Sequence, residues 1–214
     1  MKFFRFFVLL GTLLAPGDGV KKDIVFLLDR SGSLTQQDIN GALSFIYNVT
    51  EYLHIGPGNI QISLVTYSDD VRTEFSLSRY SNTTYALSGI NSLKGMTTDG
   101  GTYTYTALQY VLENTFTSSG SRSDAAKTVV VMTDGYSSDY TATKTMADRL
   151  RNNLNATLFS IGIGKEPDPD EINAIANDPD SYYVHSVSDF VYLCNLIPAI
   201  VPKLGNFYFL YCVV

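Results

Sequence analysis

Asp29-Arg30-Ser31-Gly32-Ser33 places one carboxylate and two hydroxyls at alternate positions of a short polar segment, and Gly32 permits a tight backbone turn within it. Two other segments carry donors of the same kind: Thr133-Asp134-Gly135 and Asp99-Gly100-Gly101-Thr102-Tyr103-Thr104. Hard divalent cations take oxygen ligands, and Mg²⁺ keeps a near-octahedral shell partly filled by water. Two carboxylates largely balance such an ion, which then retains Lewis acidity toward an anion arriving at an open position. Each segment taken alone has a plainer use. Asp, Ser and Thr cap helix N-termini, and Asp134-Gly135 suits an ordinary turn. The metal reading therefore depends on elements that bring the three segments together.

The surrounding sequence supplies such elements. Residues 23–28, 60–67, 128–133 and 157–163 are short, nearly continuous apolar runs, the pattern of strands buried on both faces of a parallel sheet. Between and after them, residues 37–53, 83–90, 104–116, 142–153, 169–177 and 188–204 show helical periodicity. This alternation predicts βαβ units and an α/β, Rossmann-like doubly wound sheet, mostly parallel, with helices on both faces. Residues 71–75, after Ser68-Asp69-Asp70, read as a short antiparallel edge strand, and the two aspartates as a solvated turn. In such sheets ligands bind beyond the carboxyl ends of the strands, where strand order reverses. The segments containing Asp29 and Asp134 each follow an apolar run directly, and the Thr102 segment leads into a helix.

Composition narrows the classes of partner. The chain has 214 residues, 45% hydrophobic and 17% charged, with a net charge of -6. That is a folded globule rather than a disordered chain, and it lacks the clustered Lys/Arg surface that nucleic acid requires. Met1-Lys2-Phe3-Phe4-Arg5 ahead of the apolar 6–14 run has the order of a secretory signal, so residues 1–19 are expected to be a signal peptide. The run is too short to span a bilayer, which needs about 20 apolar residues. Residues 20–205 then form one domain, and 206–214 an apolar tail. Sequons at Asn48, Asn82 and Asn155 agree with secretion to an extracellular destination. Cys194 and Cys212 can pair with each other or bond to another chain, and both they and the tail offer routes to self-association.

With these residues in place, the sequence resembles a von Willebrand factor type A domain, the family that includes integrin inserted domains and many matrix proteins. The likeness runs from about Asp23 to Leu204 and includes Ile55-Gly56-Pro57-Gly58-Asn59 and Ala107-Leu108-Gln109-Tyr110-Val111-Leu112. The family's metal-ion-dependent adhesion site combines Asp-x-Ser-x-Ser, a Thr from Gly-Gly-Thr-x-Thr, and an Asp from Thr-Asp-Gly. The resemblance thus implies that Asp29, Ser31, Ser33, Thr102 and Asp134 hold a cation, Mg²⁺ first with Mn²⁺ or Ca²⁺ as alternatives. It further implies an adhesion module whose extracellular protein or matrix ligand completes the metal shell with an exposed carboxylate. The alternatives are a structural matrix protein assembling through its A domain, or a metal-dependent hydrolase; no His or Cys in the three loops supplies a nucleophile or base for the latter.

Two positions depart from the family pattern. Tyr105 stands where many relatives carry Gly, and Arg30 adds a positive charge beside the metal loop. Arg30, Tyr103, Tyr105 and Tyr136 are expected on the ligand rim, where tyrosines offer contact area at low entropic cost. Asp168, Asp170 and Glu171 read as carboxylates at a helix start.

Overall fold

The computed structural model describes residues 21–164 and 167–205. The signal segment 1–19, the 206–214 tail and Cys212 lie outside the described residues. The elements run β1 (Lys22–Asp29), α1 (Gln36–Glu51), β2 (Ile60–Tyr67), β3 (Val71–Phe75), α2 (Thr83–Asn91), α3 (Thr104–Tyr110), β4 (Ala126–Thr133), α4 (Tyr140–Leu154), β5 (Thr157–Ile163), α5 (Pro169–Ile175), α6 (Asp180–Tyr183), β6 (Val184–Val187) and α7 (Ile197–Leu204). The six strands lie in the order β3-β2-β1-β4-β5-β6, and all pairings are parallel except β2 with β3. This is the expected doubly wound α/β sheet with its antiparallel edge.

Alternation along the strands divides the core. Ile24, Phe26 and Leu28 of β1 face a cluster that also holds Ile39, Leu43 and Ile46 of α1, Ile90 of α2 and Ile200 of α7. Val25 and Leu27 face the opposite way, onto Ala107 and Leu108 of α3 and Ala147 and Leu150 of α4. Both faces of the central strands are thereby dry, which is why their sequences are apolar throughout rather than alternating.

Helix boundaries follow local chemistry. Thr35 and Asp38 form a reciprocal capping box at the start of α1, and Asp139 caps α4, which ends at Asn155 in the left-handed conformation (φ 50°). The expected 104–116 helix is α3 continued by a wider π turn over Val111–Thr115. The expected 188–204 helix divides into a 3₁₀ turn over Phe190–Leu196, capped by Asp189, and then α7, with Pro198 near its start and Pro202 inside it. The short strand β6 and helix α6 were not expected.

At the end of the sheet remote from the strand carboxyl ends, Asp23 is fully buried. Its carboxylate accepts from Arg122 Nε at 2.9 Å, Arg122 N–H at 2.8 Å and Lys127 Nζ at 2.7 Å. Arg122 also donates to the carbonyls of Pro57, Lys22 and Asn59, tying several loops to one guanidinium.

Candidate metal centre

The strand order reverses at β1, whose neighbours β2 and β4 lead away in opposite directions. The loop 29–33 leaves β1 there, the loop 133–138 leaves β4 beside it, and the loop 98–103 crosses over to meet both. Hydrogen bonds show the meeting: Gly32 N–H donates to Gly100 O at 2.9 Å, Asp99 N–H to Arg30 O at 3.1 Å, and Ser138 N–H to Thr102 O at 2.8 Å. Gly100 adopts φ +75°, a left-handed conformation that favours glycine, and it lies close against the Asp69 carboxylate, which a side chain there would have to displace.

The donors converge. Ser31 and Ser33 hydroxyls lie 3.1 Å apart, and Ser33 Oγ donates to Asp134 Oδ1 at 3.1 Å. Asp29, 1% exposed, accepts from Ser31 N–H at 2.8 Å and from the Thr133 hydroxyl at 2.7 Å. Thr102 Oγ1 stands 3.7 Å from where a side chain on Gly135 would begin, which sets it beside the Asp134 loop. The capping alternative for the 29–33 loop does not hold, because Thr35 caps α1. Thr104 does not cap α3 through its side chain either; it is buried, with its hydroxyl 3.4 Å from the Tyr67 hydroxyl.

Electrostatics fit a cation. Burial pushes the Asp29 pKa up from 3.8 to about 6 against the hydrogen bonds of Ser31 and Thr133, and the Asp134 charge pushes it further in the same direction. Two carboxylates held close with hydroxyls between them, one of them out of water, form a donor set that a divalent ion stabilises and that protein hydrogen bonds alone leave strained in charge. Among the described residues no three His, Cys, Asp or Glu side chains gather as a metal cluster. The hydroxyls therefore have to supply part of any shell at this centre.

This pKa has a consequence for stability. A carboxyl whose folded pKa exceeds its unfolded value holds its proton more tightly when folded, so ionising it destabilises the fold. In chelator, the Asp29 contribution is expected to fall as pH rises from about 4 to about 6, by about 3 kcal/mol, at roughly 1.4 kcal/mol per pKa unit. Unfolding of the native chain and of Asp29→Asn across that range isolates the effect, since the variant should lack it. A bound cation should abolish the loss at pH 7.

The expected rim is corrected at one position. Arg30 is not on the surface: it is 1% exposed, and its guanidinium pairs with Asp70 and with Asp99, the latter at 3.0 Å. The guanidinium is covered by the protein while the two carboxylates that pair with it remain largely exposed. Tyr136 is well exposed at 59%, while Tyr103 and Tyr105 are half-buried and pack edge to face at 6.3 Å. Asp69 and Asp70 are exposed but are not merely a solvated turn. Asp69 Oδ1 accepts from Gly101 N–H at 2.8 Å, and Asp70 takes Arg30 and Arg72.

Asp168 caps α5, and Asp170 and Glu171 lie in its first turn, as expected of carboxylates at a helix start, but Glu171 is not a solvated one. Glu171 is 3% exposed and accepts from Ser137 N–H at 3.2 Å, anchoring the Asp134 loop to α5; burial raises its pKa. Of the sequon residues, Asn82 caps α2 and Asn155 ends α4, both exposed, whereas Asn48 lies half-buried within α1 with its amide 3.3 Å from Cys194 Sγ. No helix of the described residues is long and apolar enough to cross a membrane.

Comparison with known proteins agrees with this geometry. The family model for the von Willebrand factor type A domain matches residues 23–198. Relatives include the collagen alpha-1(XII) chain of Notophthalmus viridescens, 34% identical over 86% of this chain and 19% of its own length, and human collagen alpha-1(XX), 35% identical over 81% of this chain and 13% of its own. Mouse matrilin-1 is 33% identical over 81% of this chain and 34% of its own. The chain thus spans about a third or less of these curated relatives. Among solved structures, proximal thread matrix protein 1 from the mussel byssus, with a zinc-occupied MIDAS motif, superposes with a TM-score of 0.77 at 26% identity, covering 85% of this chain and 47% of that one. Manganese-loaded Plasmodium vivax TRAP protein shares the fold, with a TM-score of 0.70 at 22% identity over 87% of this chain and 74% of that one. A family model matched along nearly the whole described sheet, on a fold with three loops gathered at its switch point, places this chain in the von Willebrand factor type A domain family.

Proposed function

We propose that this chain is a secreted, extracellular adhesion or matrix module that binds an acidic protein or matrix ligand through a divalent cation held by Asp29, Ser31, Ser33, Thr102 and Asp134. The observation that carries the reading is the convergence of Ser31, Ser33 and Asp134 oxygens within hydrogen-bond distance around a buried Asp29 that burial and Asp134 make costly to ionise. In this role Asp29 and Asp134 supply charge, and the three hydroxyls fill positions without adding more. The cation supplies Lewis acidity toward the ligand's carboxylate. Mg²⁺ suits an all-oxygen set of this kind, and the zinc in the mussel protein's motif supports a divalent ion more broadly.

The matrix setting is supported by relatives among collagens and matrilins. The role is binding rather than catalysis: His54 lies on the loop after α1 and His185 on β6 against Lys203, neither in the three loops. Glycans are assigned to Asn82 and Asn155, whose exposed positions at helix ends leave room for them.

The test is retention on immobilised extracellular matrix in Mg²⁺, in chelator, and in Mg²⁺ with a soluble carboxylate-bearing peptide. Retention in Mg²⁺ that chelator and peptide both abolish is the expected result. Equal retention in all three sinks the cation-mediated reading.

A further inference from the structure

The geometry points to Arg30 as a positioning residue that, with Asp70 and Asp99, clamps the metal loops into their binding arrangement before any cation arrives; this rests on the metal reading above. Arg30 sits between the proposed ligands Asp29 and Ser31, yet its side chain turns inward and is 1% exposed. Guanidinium does not lose its proton in proteins, so a buried one is tolerable only while its partners stay in place. Those partners come from two other segments. Asp70 belongs to the β2–β3 turn and Asp99 to the loop that carries Thr102, and their side chains are themselves 52% and 75% exposed.

Further bonds radiate from the same point. Arg30 N–H donates to Tyr67 O at 2.8 Å, and Arg30 O accepts from Asp99 N–H at 3.1 Å. Asp69, next to Asp70, accepts from Gly101 N–H at 2.8 Å, one residue from Thr102. Arg72 Nε holds the second oxygen of Asp70 at 2.6 Å. Among the described residues Arg30 Nε has no hydrogen-bond partner, and the guanidinium's ion pairs there are those with the two aspartates. Releasing either would leave a charge buried with fewer contacts, which is the physical reason the loops stay closed. The three segments are independent in sequence, and the arginine makes them one unit.

Simple Coulomb attraction makes the opposite forecast, which gives the test its sign. If Arg30 acts only as a nearby positive charge, removing it should tighten cation binding. If it clamps the loops, removing it should weaken binding, because part of the cation's affinity is then used to order them. The experiment compares the native chain with Arg30→Met and Arg30→Lys by Mn²⁺ titration calorimetry, and by amide exchange in chelator, with melting curves to establish folding.

The clamp predicts Mn²⁺ affinity weaker by about tenfold or more in Arg30→Met, the range seen when outer-shell partners of a metal site are lost. Arg30→Lys should also weaken binding, since one ammonium cannot span both aspartates. In chelator, the Gly32 and Asp99 amides that bridge the loops should exchange at least about tenfold faster in Arg30→Met. Native or tighter affinity in Arg30→Met, or unaccelerated exchange at those amides, overturns the clamp even if the melting temperature falls. Should Arg30→Met fail to fold, Asp99→Asn takes its place, and unchanged Gly32 exchange there is equally fatal. A native chain that binds no Mn²⁺ overturns the metal reading instead, and the exchange data in chelator still decide the clamp.

Discussion

Asp134→Ala is expected to bind Mg²⁺ and Mn²⁺ at least about a hundredfold more weakly than the native chain, with little change in melting temperature when both are measured in chelator. The carboxylate of Asp134 lies on an intermediate-exposure loop beyond β4, where it accepts from Ser33 at 3.1 Å, so its removal opens no core cavity. It also relieves the charge that helps raise the Asp29 pKa, which offsets any lost hydrogen bonding. Binding and stability should therefore separate. Calorimetric titration reads the first and thermal unfolding the second; equal cation affinity in the two proteins removes Asp134 from the site. The native chain should gain melting temperature with added cation while the variant does not, because an ion bound only to the folded state stabilises by mass action.

Asp23→Ala is expected to have the reverse profile, a loss of about 3–5 kcal/mol in stability and a fall in Tm of roughly 10 °C. Asp23 is fully buried, and its removal strands Arg122 and Lys127, whose side chains are only 15% and 12% exposed. Arg122 would keep its carbonyl partners and lose its counter-charge. The site is at the amino end of β1, whereas Asp29 ends that strand eight residues long, so cation affinity in the folded variant should match the native value within error. Chemical denaturation gives the free energy; a loss under about 1 kcal/mol would mean that the buried ion group is replaceable by water or by its neighbours.

These two outcomes bear on how the molecule divides its labour. Carboxylates at the two ends of one strand meet burial in different ways. Asp23 is neutralised by two cationic side chains of the chain itself. Asp29 is given hydroxyl and amide donors, while the adjacent guanidinium is directed to Asp70 and Asp99. The first arrangement is complete within the protein. On the proposed reading the second is completed by an ion, which would make one end structural and the other receptive.

Much of this was legible before folding was considered. The runs 60–67 and 157–163 coincide with β2 and β5, and those of β1 and β4 are displaced by two residues at most, because strands buried on both faces must be apolar throughout. The donor types in the three loops and their places after strands β1 and β4 are likewise properties of the linear chain. Strand β6 has no signal in the sequence because Val-His-Ser-Val at a sheet edge is short and half-exposed, and carries no apolar run. The 3₁₀ segment before α7 was hidden in a helical pattern that the period alone does not distinguish.

What the sequence by itself determined was the set of oxygen donors and the sheet that would carry them, since residue type and hydrophobic period act locally. The tertiary structure decided which charges face one another. Arg30 belongs to the rim by its position in the chain and to the interior by its contacts, because Asp70 and Asp99, 40 and 69 residues away, lie where its guanidinium can pair with both. Glu171 likewise became an anchor for the Asp134 loop through a backbone amide 34 residues distant. Pairing of buried charge depends on distance in space and on exclusion of water, and neither quantity exists until the chain has folded.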